Sequence, residues 1–260
     1  MFGQINPFQN PKPNKFQPVH KIHITLPSNG NKAPHRSPPS RRPRVLCLHG
    51  FRCSGEILNR QLADAEWPES ILGRLDLFFP DAPFPAQGLP SARIIYGSPY
   101  YEWFQTNEDL TKYTNFDECL AYIEDLAINH GPFDGLMGMS QGGVLTGLLP
   151  GLQKNGLAMT RVAEVKFIIV IAGGRSRNPS VANQAYSSSP LHCPSLHFIG
   201  EHDELVGADG LALLGSYVDP VVILHPGGHE VPKLDEKAEK QVSEFIDKVQ
   251  NMLNFQASKL

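Results

Sequence analysis

From residue 44 onward the chain alternates short apolar runs with segments of helical period. Val45 to Leu48 is a continuous apolar run that stops at His49-Gly50, the pattern of a buried parallel strand. Ser54 to Ala65 predicts a helix, with Ser54 as its N-cap and Ile57, Leu58, Leu62 and Ala65 as its apolar stripe. Leu75 to Phe79 predicts a second strand, stopped by Pro80-Asp81-Ala82-Pro83. Residues 80–115 are irregular, with five prolines and a dense aromatic group: Phe84, Tyr96, Tyr100, Tyr101, Trp103 and Phe104. Connections this long in compact domains usually carry function.

Asn115 to His130 is the clearest helix. Asn115 and Glu118 make a capping-box-like start, Phe116, Leu120, Ile123 and Ala127 share a face, and Gly131-Pro132 ends it. Asp134 to Met139 predicts a strand running into Ser140, followed by a helix to Leu149. Lys166 to Ala172 is the most apolar strand and closes with Gly173-Gly174; Ser195 to Ile199 and Val221 to Leu224 predict two more. Asp235 to Leu253 predicts a terminal helix with Ala238, Val242, Phe245, Ile246 and Val249 inward. This alternation predicts an α/β fold: a mostly parallel central sheet covered by helices on both faces. Ligands bind such sheets beyond the carboxyl ends of the strands. Those ends carry His49-Gly50-Phe51, Ser140, Gly200-Glu201-His202-Asp203 and His225 to His229.

Composition narrows the classes. The chain has 260 residues, 41% of them apolar, which rules out wholesale disorder. A net charge of −3 gives no bulk basic field, so no nucleic-acid partner is expected. The longest apolar-plus-glycine run, Phe167 to Gly174, is eight residues, against the ~20 of a membrane span. The charge is unevenly spread. The first 44 residues hold eight Lys or Arg, nine prolines and no acid, leaving fifteen cations against twenty-six acids beyond them. Residues 1–43 are therefore expected to be a flexible Pro-rich basic extension, and residues 44–260 one domain. The extension lacks the apolar core of a secretory signal, so an intracellular, cytoplasmic protein is expected, with a chloroplast or mitochondrial transit peptide as the alternative. Lys21 to Leu26 alternates as a short edge strand would. Arg41-Arg42-Pro43-Arg44 reads as a solvated hinge. The four cysteines form no CxxC pair and are expected to be buried, reduced thiols.

The strongest chemical signal is Gly138-Met139-Ser140-Gln141-Gly142, a G-x-S-x-G placed strand-to-helix. The serine must sit on a sharp, strained turn, and the residues two before and two after it must be small because they come together. A serine hydroxyl is a poor nucleophile at neutral pH and needs a base oriented by an acid. Asp203 and His229 follow later strand ends in the required order, acid before base. Glu201 and Glu204 compete for the acid role, and strand alternation with the Gly200-x-x-Asp203 turn favours Asp203. His225 and His202 compete for the base role; His225 continues a strand, His202 adjoins the acid, and His229 is favoured. The loop after the first strand would supply an oxyanion donor, so the expected pair is the backbone N–H of Phe51 and of Gln141. His49 is expected to brace that loop. Arg52 is a candidate to line the entrance, with a solvated side chain the competing reading, and Tyr100, Tyr101 and Trp103 are candidates for the substrate wall, with core filling the competing reading for the aromatics.

Arg44 to Gly55, Phe79-Pro80-Asp81-Ala82-Pro83, Gly138 to Gly143 and Pro226-Gly227-Gly228-His229-Glu230-Val231-Pro232 together resemble the FSH-type serine hydrolases. That family includes LovG-like thioesterases and ovarian-cancer-associated esterases. Tyr100-Tyr101-Glu102-Trp103-Phe104 is similar to the family's plant branch. The resemblance covers roughly residues 44–250. It implies an α/β-hydrolase fold, no cofactor, and hydrolysis of a small acyl ester or thioester. It places nucleophile, acid and base on Ser140, Asp203 and His229. Cys53 stands where a hydroxyl residue is expected. The rival class is a ligand-binding receptor on the same fold, with slow or no turnover. A nicotinamide oxidoreductase is disfavoured, because no G-x-G-x-x-G follows the first strand.

Overall fold

Four apolar residues behind Arg44 build the first strand, β1 (Arg44–Leu48), and the sheet grows on both of its edges. The structure, a computed structural model, describes residues 41–87, 97, 99–187 and 189–259. The extension up to residue 40, with the edge strand expected at Lys21 to Leu26, lies outside the described residues, as does Tyr96. After β1 come α1 (Gly55–Asp64), α2 (Glu69–Leu72) and β2 (Asp76–Phe78). The irregular stretch forms two small antiparallel ribbons, β3 (Phe84–Pro85) with β4 (Tyr101–Glu102) and β5 (Gln105–Thr106) with β6 (Tyr113–Thr114). Then follow α3 (Phe116–His130), β7 (Gly135–Met139), α4 (Gln141–Lys154), β8 (Phe167–Ile171) and α5 (Pro179–Tyr186). The chain closes with β9 (Ser195–Gly200), α6 (Gly207–Leu214), β10 (Val221–His225) and α7 (Glu236–Ala257).

The main sheet has six strands in the order β10-β9-β8-β7-β1-β2, and every pairing is parallel. Alternate residues face opposite layers. Leu46, Leu48, Ile168 and Val170 pack under α3, α4 and α5. Val45, Cys47, Phe167, Ile169 and Ile171 pack under α1, α2 and α7. The order reverses between β1 and β7, so their carboxyl ends flank the crevice where sheets of this kind bind ligands.

Local signals explain the firmest elements. Ser54 accepts from the Ile57 N–H at 3.2 Å and starts α1; Asp235 accepts from Ala238 at 2.7 Å and starts α7. All five inward residues expected of α7 are buried. Three expectations need correction. Asn115 precedes α3 in the left-handed region, φ 57°, and makes no side-chain cap; its amide donates instead to Gln105 Oε1 at 2.8 Å. The helix after Ser140 does not stop at Leu149 but runs through Pro150 to Lys154. An interior proline costs about 3 kcal/mol; burial of Leu145, Leu148, Leu149 and Leu152 offsets it. The arginine cluster is not merely solvated. Arg41 makes a two-pronged contact with buried Asp134, both bonds at 2.6 Å, and Arg44 reaches Asp76 at 2.9 Å.

Two stability predictions follow from this packing. Phe245 is 3% exposed and meets the Phe167 ring edge-on at 6.2 Å. Phe245→Ala should therefore cost about 3–5 kcal/mol in urea unfolding, whereas an exposed change such as Lys237→Ala should stay within about 0.5 kcal/mol. His197 on β9 is 2% exposed, its Nε2 has no partner among the described residues, and burial lowers its pKa to about 4. Burial does the same to His49, which is wholly buried just beyond β1. Between pH 6.5 and 4 the unfolded chain binds protons that the native imidazoles refuse. Stability should thus fall as pH drops through that window, by about 1.4 kcal/mol per pH unit for each histidine. Urea midpoints measured from pH 7 to 4 check this, and a level profile contradicts it.

Candidate active site

β7 carries Ser140 to the sheet edge and the chain turns sharply there. Ser140 adopts φ 56° and ψ −117°, a conformation that is costly for a residue with a side chain. Its N–H is anchored to the Ile171 carbonyl at 3.0 Å. Its side chain does not cap α4, so the hydroxyl is left for other work. The flanking glycines allow this. A Cβ on Gly138 would lie closer than 3.0 Å to the Gly142 carbonyl, and one on Gly142 equally close to the Leu48 carbonyl.

The hydroxyl meets an imidazole. His229 Nε2 lies 2.8 Å from Ser140 Oγ, and His229 Nδ1 lies 2.9 Å from Asp203 Oδ2. The Asp203 side chain is 1% exposed. Its second oxygen accepts the Leu205 and Val206 N–H groups, each at 3.0 Å. The two loops are tied together: Glu201 N–H donates to the His225 carbonyl at 2.9 Å, and His202 N–H to the Gly227 carbonyl at 3.1 Å. A Cβ on Gly200 would collide with the Gly228 carbonyl, so glycine at the end of β9 lets the imidazole loop approach. Trp67 Nε1 holds that loop from below by donating to the Pro232 carbonyl at 2.8 Å. The competitors lie elsewhere. His225 accepts from Gly227 N–H at 3.3 Å through Nδ1, His202 is exposed, and Glu201 and Glu204 point to solvent.

The loop after β1 passes beside the serine: a Cβ on Gly50 would sit 3.4 Å from Ser140 Cβ. Among the described residues no backbone acceptor takes the Phe51 N–H, and the Gln141 N–H opens α4, where it has no intrahelical partner. Arg52 is left-handed, φ 52°, with its guanidinium over the Phe51 ring at 4.8 Å and 3.6 Å from Glu102. Cys53 pairs with Tyr101 through reciprocal backbone bonds. Burial lifts its thiol to about 11, so it is an inert filler in that loop. Trp103 requires correction as a wall residue. It is 0% exposed, with Phe104 at 2%, and both belong to the core. Tyr100 is also buried, and Tyr101 is half-buried. The Gln141 side chain grips this run, accepting from Trp103 N–H at 2.9 Å and donating to the Phe104 carbonyl at 2.8 Å. Sequence reasoning assigned a role to the Gln141 backbone and missed its side chain; the neighbouring aromatic run was the available signal.

The model of the family described as serine hydrolase (FSH1) matches residues 39–241. An esterase of Anopheles gambiae is 32% identical over 222 residues, 81% of this chain and 79% of its own. Human esterase OVCA2 is 30% identical over 74% of this chain and 91% of its own. These relatives are animal proteins, so they do not bear out the plant-branch likeness of the aromatic run. Among solved structures, Zea mays acyl-protein thioesterase 2 superposes with a TM-score of 0.52 at 17% identity, over 83% of this chain and 96% of that one. That likeness establishes the α/β-hydrolase fold. Since the family model extends across most of the sequence, from ahead of β1 into α7, this chain belongs to the FSH1 serine hydrolase family.

Proposed function

We propose that the protein is a serine esterase or thioesterase that works through an acyl-enzyme, with residues 44–260 as the catalytic unit. The observation that supports this most is the continuous hydrogen-bonded line from the Ser140 hydroxyl through His229 to Asp203. In this reading His229 Nε2 takes the Ser140 proton as Oγ attacks the carbonyl carbon. The carbonyl electron pair moves onto oxygen, and the N–H groups of Phe51 and Gln141 receive that charge, each worth about 3–4 kcal/mol in the transition state. Collapse expels the alcohol or thiol, protonated by His229. Water, deprotonated by the same ring, then attacks the acyl-enzyme, releases the acid and restores the serine. Asp203 keeps the proton on Nδ1 and stabilises the imidazolium. Arg52 and Tyr101 are the proposed substrate contacts, linked to the Phe51 loop through the Cys53–Tyr101 pairing, while Tyr100 is buried with Cys53 and Ile57.

The relatives named as esterases and the thioesterase sharing the fold support both leaving-group classes, so the test is a panel of acyl esters and acyl thioesters. Ser140→Ala should lower kcat by roughly 10³-fold or more with the fold retained. A fluorophosphonate should label the wild type at Ser140, located by peptide mass spectrometry. A mutant that keeps most of its turnover ends this assignment. A protein that refuses the label yet binds acyl ligands is the receptor instead.

A further inference from the structure

Trp103 and His49, both fully buried, sit with ring centroids 5.1 Å apart. The indole N–H donates to the His49 carbonyl at 2.9 Å. The Ala82 N–H lies 3.0 Å from His49 Nε2. A backbone amide can only donate, so Nε2 accepts and the ring proton sits on Nδ1. Nδ1 then donates to the Gly50 carbonyl at 2.8 Å. That carbonyl and the Phe51 N–H are opposite ends of one planar peptide, so orienting one orients the other. The line continues the other way, because the backbone of Trp103 and Phe104 is gripped by the Gln141 side chain. One buried set of hydrogen bonds therefore joins the two residues whose N–H groups are read above as oxyanion donors.

We propose that Gln141, Trp103 and His49 are positioning residues for the oxyanion site: with His49 held as its Nδ1–H tautomer, they fix the Gly50–Phe51 peptide so that its N–H faces the reacting oxygen. This rests on the oxyanion reading of Phe51 and Gln141. None of the three side chains bonds to Ser140 Oγ; they act through the peptides they hold. The segment needs holding. It runs from the end of β1 to the Cys53–Tyr101 pairing, and it contains the left-handed Arg52. A peptide free to rotate there would present its carbonyl to the oxyanion and repel it.

The test uses the full chain. Trp103→Phe removes the indole donor and keeps a ring; His49→Leu removes both ring nitrogens; His49→Asn restores an N–H near the Nδ1 position. Kinetics on p-nitrophenyl butyrate are paired with the Kd of phenylboronic acid, which captures the serine as a tetrahedral anion. Trp103→Phe and His49→Leu should lower kcat about tenfold or more, the scale of a weakened oxyanion donor, with KM within about twofold. The boronate Kd should rise in step, and His49→Asn should recover most of the loss. Variants that lower Tm while kcat and boronate affinity stay at wild-type values overturn the proposal. Nitrogen-15 spectra of histidine-labelled wild type need no variant: a protonated Nδ1 and bare Nε2 on His49 are expected, and the opposite tautomer overturns it. Ser140→Ala separates the two claims. If it stays active, the oxyanion reading itself falls. If it is inactive while Trp103→Phe and His49→Leu turn over at the wild-type rate, the positioning role alone falls.

Discussion

The His229 ring is engaged at both nitrogens, by a carboxylate on one side and a serine hydroxyl on the other, and the surrounding loops exist in the form they do to keep it there. A carboxylate can only accept, so Nδ1 must carry the ring proton and Nε2 is left to receive the hydroxyl hydrogen. Burying Asp203 is costly unless its oxygens are satisfied, and two backbone N–H groups share that task with the imidazole. The same contacts fix its aim at the imidazole. The bonds between the loops after β9 and β10 tie the segments that carry Asp203 and His229 to one another.

The serine side of the contact is built by steric exclusion. Ser140 is held at positive φ by what surrounds it: a strand buried throughout, a helix packed on the adjoining strands, and close approaches that glycine alone permits. Local strain of this kind persists only where packing over-determines it. The same helix is stable enough to carry Pro150 in its interior. Its buried face thus carries both a proline in its interior and the strained serine at its head.

Much of this was legible from local pattern. The apolar run Val45 to Leu48, the capping residues Ser54 and Asp235, and the inward face of α7 all follow from short-range rules, because each depends on residues within a turn or two. The conjunction of Ser140, Asp203 and His229 was legible for a different reason: a parallel α/β sheet sends every strand end to the same rim. Other features were not legible. Asn115 has a capping residue's composition but a backbone already bent left-handed, so its amide serves Gln105. Arg41 looks like a solvated hinge until the fold brings Asp134 within reach. Trp103 stands in a run suited to a pocket wall, yet its neighbours in space, His49 and Gln141, draw it into the core.

The sequence by itself determined the order of elements, the sheet class and which residues stand at the strand ends, because periodicity, caps and turn glycines act over short spans of chain. Tertiary structure decided which side of each signal was used: that the Gln141 side chain clamps an aromatic run while its backbone opens α4, and that the indole of Trp103 turns inward to the His49 carbonyl instead of lining a pocket. Those outcomes depend on desolvation and hydrogen bonds between residues tens of positions apart, and such energies are defined only once the chain has closed around them.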